Sequence, residues 1–404
     1  MCGFVLGSKS VLRDLPSRFW QSSVSYSASG SWVAAIVYRP RHTADGRLYA
    51  PARIEIWKTD KDRIPARAVA TLTAGNETTG LIHDAKWIGD NLVYCYRQNA
   101  DPDSSLTWVI WLSSQAKIVR LSCSAFTGNS VVVSSSVSNG TSVVLTKQWY
   151  EEASRTVWAL RRFRISNTGA LALDDVWTLP MQVVHIPATA LSPDGRYLLV
   201  LAHRERKPGA NSANRDRDNE HLSPIIGYYL LDTLQQNVIS LPFPAQVDPD
   251  NRVTFLPNGC AGCVTVDTET EPASVASFLY HPPTRRLSQH RFTEVQLAAS
   301  LRHPAVGGHQ STSVPLVIGH SSDGTDLLVL YRAQIFSFDM EHRSARQILS
   351  DVALCRLIQY LGKDKVLIQW NKLGDSVGFN VHPDVWRGPD VWGKASRWGL
   401  LCLE

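Results

Sequence analysis

No apolar run in this 404-residue sequence approaches the ~18 residues that a membrane-spanning helix requires. Nor do the first residues, Met1 to Lys9, show the basic segment followed by ~7–15 apolar residues that marks a secretory leader. An intracellular chain, cytoplasmic or nuclear, is the expectation. Helical periodicity is missing as well: no stretch of about twelve residues places apolar positions at i, i+3, i+4 and i+7 behind a recognisable cap. Phosphate-binding Gly-x-x-x-x-Gly-Lys-[Ser/Thr] loops and dinucleotide fingerprints are absent. The twelve histidines show no paired spacing of a helical zinc site. No cofactor, metal or catalytic residue is expected on these grounds.

Cysteine is sparse and unpaired. Cys2, Cys95, Cys123, Cys260, Cys263, Cys355 and Cys402 form an odd, scattered set, which suits a reducing compartment and thiols that act as small core hydrophobes. Cys260 and Cys263 have the spacing of a redox or metal pair, but a structural zinc needs four ligands and no second pair accompanies them. They read as a turn opening a strand. Charge of one sign is also lacking, with 41 basic residues against 36 acidic ones and a net charge of +5. The densest basic stretch, 204–217, is interrupted by Glu205 and Asp216, which argues against nucleic acid as the partner.

The chain is instead full of short Val, Ile, Leu, Tyr and Trp runs separated by Gly, Asp, Asn, Ser and Pro, the pattern of an all-β protein. At 404 residues it is also long for one ordinary core, so either two domains or a repeat is needed. One unit recurs seven times: a tight polar turn, then an apolar strand. Its turn glycines stand at 30, 89, 140, 195, 259, 324 and 362, separated by 59, 51, 55, 64, 65 and 38 residues. Gly, Asn and Asp suit such turns because they tolerate positive φ. A second unit follows the first and predicts outer hairpins: 54–57 with 68–72, 108–112 with 118–121, 227–231 with 237–241, 277–280 with 287–292, and 335–338 with 346–349.

These units resemble the WD-repeat and TolB-like propellers, in which a Ser-Pro-Asp-Gly turn such as Ser192 to Gly195 opens the second strand of a blade. The resemblance covers most of residues 20–380, although no blade has a full Gly-His followed by Trp-Asp. It implies one all-β domain over 1–404: a β-propeller of about seven four-stranded antiparallel blades, with six and eight still open. Residues 204–223 interrupt the fourth unit and are expected to be a mobile, solvated loop. Stretches 39–52, 97–105 and 302–313 read as shorter insertions. The Trp-rich tail, 383–404, is expected to close the ring, with Phe4 to Leu6 and Gly399 to Leu403 as candidate closing strands.

Chemistry-bearing groups are few. His303 and His309 read as solvated loop residues, with a ligand-binding face as the alternative. The run Gly319 to Gly324 contains His320, Ser321 and Asp323, but a nucleophile elbow needs a strand-to-helix turn and this is a hairpin. The adjacent pairs Glu151-Glu152 and Asp174-Asp175 read as solvated turn residues. Most tryptophans fall on or beside predicted strands and should pack between blades. Trp386, Arg387 and Trp392, in a Pro/Gly-rich segment, are the candidate partner-binding residues, because Trp and Arg together are typical of interface hot spots. The expected function is a noncatalytic scaffold that mediates protein–protein interaction. The alternative is a propeller enzyme or small-molecule binder, such as a hydrolase, lyase or cyclase of secondary metabolism, with its site at the mouth of the central channel.

Overall fold

The structure, a computed structural model, describes residues 12–19, 22–43, 46–60, 63–74, 81–97, 107–121, 130–134, 141–150, 155–165, 171–180, 183–204, 225–243, 254–267, 274–293, 296–297, 316–372 and 397–403. Its strands form seven antiparallel four-stranded sheets. Blade 1 consists of β2 (Ser22–Tyr26), β3 (Trp32–Thr43), β4 (Gly46–Lys58) and β5 (Ala70–Thr73). Blade 2 is β6 (Leu81–Ile88), β7 (Asn91–Arg97), β8 (Thr107–Leu112) and β9 (Lys117–Arg120). In blade 3 these are β10 (Ser130–Ser134), β11 (Thr141–Tyr150), β12 (Arg155–Ile165) and β13 (Leu171–Thr178). Blade 4 contains β14 (Val183–Leu191), β15 (Tyr197–Arg204), β16 (Ile225–Asp232) and β17 (Asn237–Leu241). Blade 5 is β18 (Thr254–Phe255), β19 (Ala261–Asp267), β20 (Ser274–His281) and β21 (Arg286–Thr293). Blade 6 follows with β22 (Leu316–His320), β23 (Asp326–Tyr331), β24 (Gln334–Asp339) and β25 (Ser344–Ser350). Blade 7 takes β26 (Val352–Tyr360), β27 (Lys365–Lys372) and β28 (Arg397–Cys402) from the end of the chain and its outermost strand, β1 (Leu12–Asp14), from the start.

The chain is a seven-bladed β-propeller. Its ring closes where Leu12, Arg13 and Asp14 pair with Leu401, Leu400 and Gly399. The C-terminal half of the expected closure is therefore right, but the N-terminal strand is Leu12–Asp14; Phe4 to Leu6 lie outside the described residues. Among the described residues of the Trp-rich tail, 397–402 form the closing strand.

The turn glycines fold as their chemistry demands. Gly30, Gly89, Gly195, Gly259, Gly324 and Gly362 all have positive φ, while Gly140 lies outside the described residues. In blade 4, Ser192 Oγ donates to Asp194 Oδ1 (2.5 Å) and accepts from the Tyr197 N–H (2.8 Å), and Asp194 Oδ1 accepts from the Arg196 N–H (3.0 Å). Blade 6 repeats the arrangement with Ser321, Asp323, Thr325 and Asp326. These short side chains occupy backbone donors that would otherwise be left open at the hairpin.

Each seam between neighbouring blades holds its own apolar core. The seam of blades 1 and 2 packs Ile54, Ile56 and Leu72 against Ile82, Leu92, Tyr94 and Trp111. Blades 7 and 1 meet through Leu367, Trp398 and Leu400 on one side and Val33, Ala35 and Trp57 on the other. A middle strand therefore has both faces covered, and Leu92, Val93, Tyr94 and Cys95 are all buried. That accounts for the continuous apolar runs in place of strict alternation. The tryptophans at 57, 87, 108, 111, 158 and 370 are buried as expected, and Trp177 packs partly buried in the seam of blades 3 and 4.

Two expectations fail. Residues 39–52 are not an insertion: β3 and β4 stay paired from Trp32↔Lys58 out to Thr43↔Gly46, forming one long hairpin. Asp174 and Asp175 lie within β13, where Asp175 pairs with Arg162 and Asp174 is the extra residue at a register break.

Candidate functional site

Strand direction alternates outward within a blade, so the two faces of the ring receive different connections. One face carries the turns between first and second strands. The other carries the links between second and third strands and from blade to blade, and all three connections of twenty or more residues, 205–224, 294–315 and 373–396, begin and end there. Of the expected loop 204–223, Arg204 ends β15 and the rest lies outside the described residues, as do 98–105 and 302–313 of the other expected insertions. Trp386, Arg387 and Trp392 fall between β27 and β28; they lie outside the described residues, and so do His303, His309, Glu151 and Glu152.

The innermost strands, β2, β6, β10, β14, β18, β22 and β26, surround the central axis. Their ladders are irregular in one specific way. Pairing with the second strand breaks between Ile82 and Asp84, Val183 and His185, His185 and Ala188, Val317 and Gly319, Val352 and Leu354, and Leu357 and Gln359. Every extra residue belongs to the innermost strand. A bulge bends its strand and redirects side chains, and bulges concentrate at barrel rims and beside active sites. Four of the seven axial strands are thus reshaped.

Charge on these strands is also uneven. In blades 7, 1 and 2, which surround the ring closure, the partly or fully exposed inner-strand residues include Arg356, Gln359, Ser23, Asp84 and Lys86. In blades 4, 5 and 6, among the side chains described, they are Thr189, Ala190, Thr254, Leu316, Val317, Ile318 and Gly319, all uncharged. Asp84 and Lys86 lie 3.9 Å apart, and Asp84 also accepts from the Ala85 N–H. Arg356 Nε donates to Gln369 Oε1 at 2.8 Å. Gln359 straps the closing seam, its Oε1 accepting from the Tyr26 N–H (3.0 Å) and its Nε2 donating to the Tyr26 carbonyl (2.9 Å). An exposed pair such as Asp84 and Lys86 adds at most about 1 kcal/mol to stability, which leaves both groups free for a ligand at little cost.

A Ser and a His do meet in the structure, but away from solvent. His320, at the end of β22, shares a 2.8 Å hydrogen bond between its Nε2 and Ser277 Oγ of the neighbouring blade, and both residues are buried. The ring fits against Gly262, where a Cβ would come within 3.3 Å of His320 Cε1 and Nδ1. The Tyr360 hydroxyl donates to the His320 carbonyl at 2.9 Å, and burial pushes the phenol well above its usual range. Burial, with a smaller push from His290, lowers His320 to about 4, so the imidazole is neutral at physiological pH. The pair staples blade 5 to blade 6. A substrate has no route to it, and Ser321 and Asp323 are already engaged in the turn.

Cys260 and Cys263 do not form a site either. Cys263 is buried with Ala261, Tyr228 and Phe278 in the seam of blades 4 and 5, whereas Cys260 packs toward the seam of blades 6 and 7. Burial raises both thiols, Cys263 to about 11, so neither offers the thiolate that redox chemistry or a metal needs. Among the described residues no three His, Cys, Asp or Glu side chains gather around one point, and no helix is long and apolar enough to cross a membrane.

Asp84, Lys86 and Arg356 escaped the sequence reading. Their neighbours break the two-residue period, and a bulge in an inner strand looks the same in sequence as a strand that simply ends.

No protein-family model matches the chain, and no curated protein sequence matches it. Solved structures similar to it include a prolyl endopeptidase (TM-score 0.48, 10% identity, 88% of this chain and 46% of that one). A second is Porphyromonas gingivalis dipeptidyl peptidase 4 (0.43, 12%, 87% and 50%). A third is the propeller domain of the Trilobed protease from Pyrococcus furiosus (0.40, 13%, 73% and 79%). The chain spans about half the length of the first two. At these identities the likeness concerns architecture.

Proposed function

We propose that this propeller recognises a small charged molecule in its central channel, with Asp84, Lys86 and Arg356 among the contact groups. The observation behind this reading is the placement of the register breaks: the axial strands of blades 2, 4, 6 and 7 are bulged, and bulges are a recurrent means of aiming side chains at a ligand. Carboxylate, ammonium and guanidinium groups on the inner strands of blades 2 and 7, to either side of blade 1, suit a ligand bearing both signs of charge. Whether the bound molecule is then transformed, as by a hydrolase, lyase or cyclase, depends on groups beyond these three.

A thermal-shift screen of charged metabolites tests the reading, run in parallel on the native protein and on Asp84→Asn/Lys86→Ala and Arg356→Met. The expected result is a compound that raises the melting temperature of the native protein but not of the variants, whose unliganded melting temperatures stay close to native. No shift for any compound, or equal shifts in all three proteins, would overturn it. The scaffold reading ranks second and rests on a different surface, the outer edge of blade 5.

A further inference from the structure

The outermost strand of a propeller blade leaves one row of backbone N–H and C=O groups unpaired, and proteins usually keep such edges short or charged. Here β5 and β17, with four and five residues, carry no charge at all. Strand β21 is different. It runs for eight residues, Arg286–Thr293, and all but Phe292 are exposed or partly exposed. From Ser274 to Thr293 the hairpin of β20 and β21 contains His281, Arg285, Arg286, His290 and Arg291 and no acidic residue.

The three guanidiniums are exposed. Gln289, with its amide oxygen turned toward Arg291, accepts from Nε (2.7 Å) and Nη2 (3.2 Å), which holds that guanidinium along the edge. Arg285 has positive φ (53°) at the turn. Between Arg286 and Arg291 the edge presents Leu287, 37% exposed. At ~3.3 Å per residue the two arginines stand about 17 Å apart along the strand. The edge therefore combines an open backbone row with a cation near each end, Arg286 on one face of the strand and Arg291 with Leu287 on the other. Like charges would repel a second copy of the same edge, but an acidic strand would be drawn to it.

We propose that the outer edge of blade 5 receives an extended acidic segment of a partner protein as a fifth strand. The partner's backbone continues the ladder of β21, and its carboxylates meet Arg285, Arg286 and Arg291 in the two-pronged geometry that guanidinium favours. A protein segment fits better than a nucleic acid, because only a polypeptide can pair with the open N–H and C=O row. The inference concerns the outside of the ring and is independent of the channel reading.

The test uses the full chain and a fluorescein-labelled peptide of about eight residues in Glu-Glu-Val-Val repeats, which puts carboxylates on both faces of the strand and is long enough to cover the edge. A Lys/Val peptide and an oligothymidylate serve as comparators, all followed by anisotropy at low salt and at about 0.3 M salt. The acidic peptide should bind, weaken at higher salt, and protect amides of residues 286–293 from hydrogen exchange. The variant Arg285→Glu/Arg286→Glu/Arg291→Glu should lose about tenfold or more in affinity, with its melting temperature unchanged. If that variant folds poorly, Arg286→Ser/Arg291→Ser gives the same comparison with a smaller loss. Equal binding by the charge-reversed protein, protection elsewhere than β21, no binding of the acidic peptide, or tighter binding of the oligothymidylate at the same arginines would each overturn the proposal.

Discussion

Acidification should cost this propeller a definable part of its stability through one residue. His320 is 2% exposed, and burial holds its native-state value at about 4 instead of 6.5. Between those values the unfolded chain takes up a proton that the native state refuses, so unfolding is favoured as pH falls. The contribution is complete above pH 6.5, declines as the pH drops through that value, and stops declining below about 4, where both states carry the proton. A separation of about 2.5 pH units at about 1.4 kcal/mol per unit makes the loss about 3 kcal/mol between pH 7 and pH 4. Other groups titrate in the same window, so the measurement is a difference: urea unfolding of the native protein and of His320→Gln across that range. The variant is less stable at pH 7 because it disturbs the bond to Ser277, and its deficit should shrink by about 3 kcal/mol on reaching pH 4. A deficit that stays constant with pH would refute the account, since it would mean that His320 takes up its proton in the native state as readily as in the unfolded chain.

Other positions yield further tests. Gly195→Val places a β-branched residue at φ +73° and should cost ~1–3 kcal/mol, whereas an unchanged melting temperature would contradict the turn geometry. Trp111, fully buried and edge-on to Trp32 at 5.1 Å between ring centres, should cost ~3–5 kcal/mol as Trp111→Ala. Its indole N–H has no hydrogen-bond partner, so Trp111→Phe should cost clearly less, as read by denaturant midpoints. The two-residue turn Arg332-Ala333 has positive φ at both positions, 48° and 60°. Arg332→Asn/Ala333→Gly should therefore raise stability by about 1 kcal/mol; a lower denaturant midpoint would show that the native side chains compensate for the strain.

Much of this fold could be read from the residues because local chemistry and global architecture agree. Six turn glycines adopt the positive φ that their Ser, Asp and Asn neighbours predict, and all five outer hairpins pair as the second recurring unit indicates. The failures have physical causes. Residues 39–52 look loop-like because Arg, His, Asp, Gly and Pro dominate them, a composition that does not reveal that the two strands stay paired. Leu12–Asp14 gives almost no signal in the sequence because a three-residue edge strand, exposed along most of its length, has almost no pattern. Strand β13 bulges at Asp174, and that one extra residue breaks the alternation that would identify a strand. The axial groups are the hardest case, since Asp84, Lys86 and Arg356 come from blades 2 and 7 and are related only through ring closure.

That closure has a mechanical consequence. A linear array of repeats can fray from its ends, each terminal unit leaving at the expense of a single interface. Here each sheet gives one face to the seam before it and the other to the seam after it, and blade 7 contains both the first and the last described strand. No blade is terminal, so removing any one of them opens two cores at once. Unfolding should therefore proceed as one event around the ring, and pulling Leu12–Asp14 away from Arg397–Cys402 would turn the circle into an array that has ends.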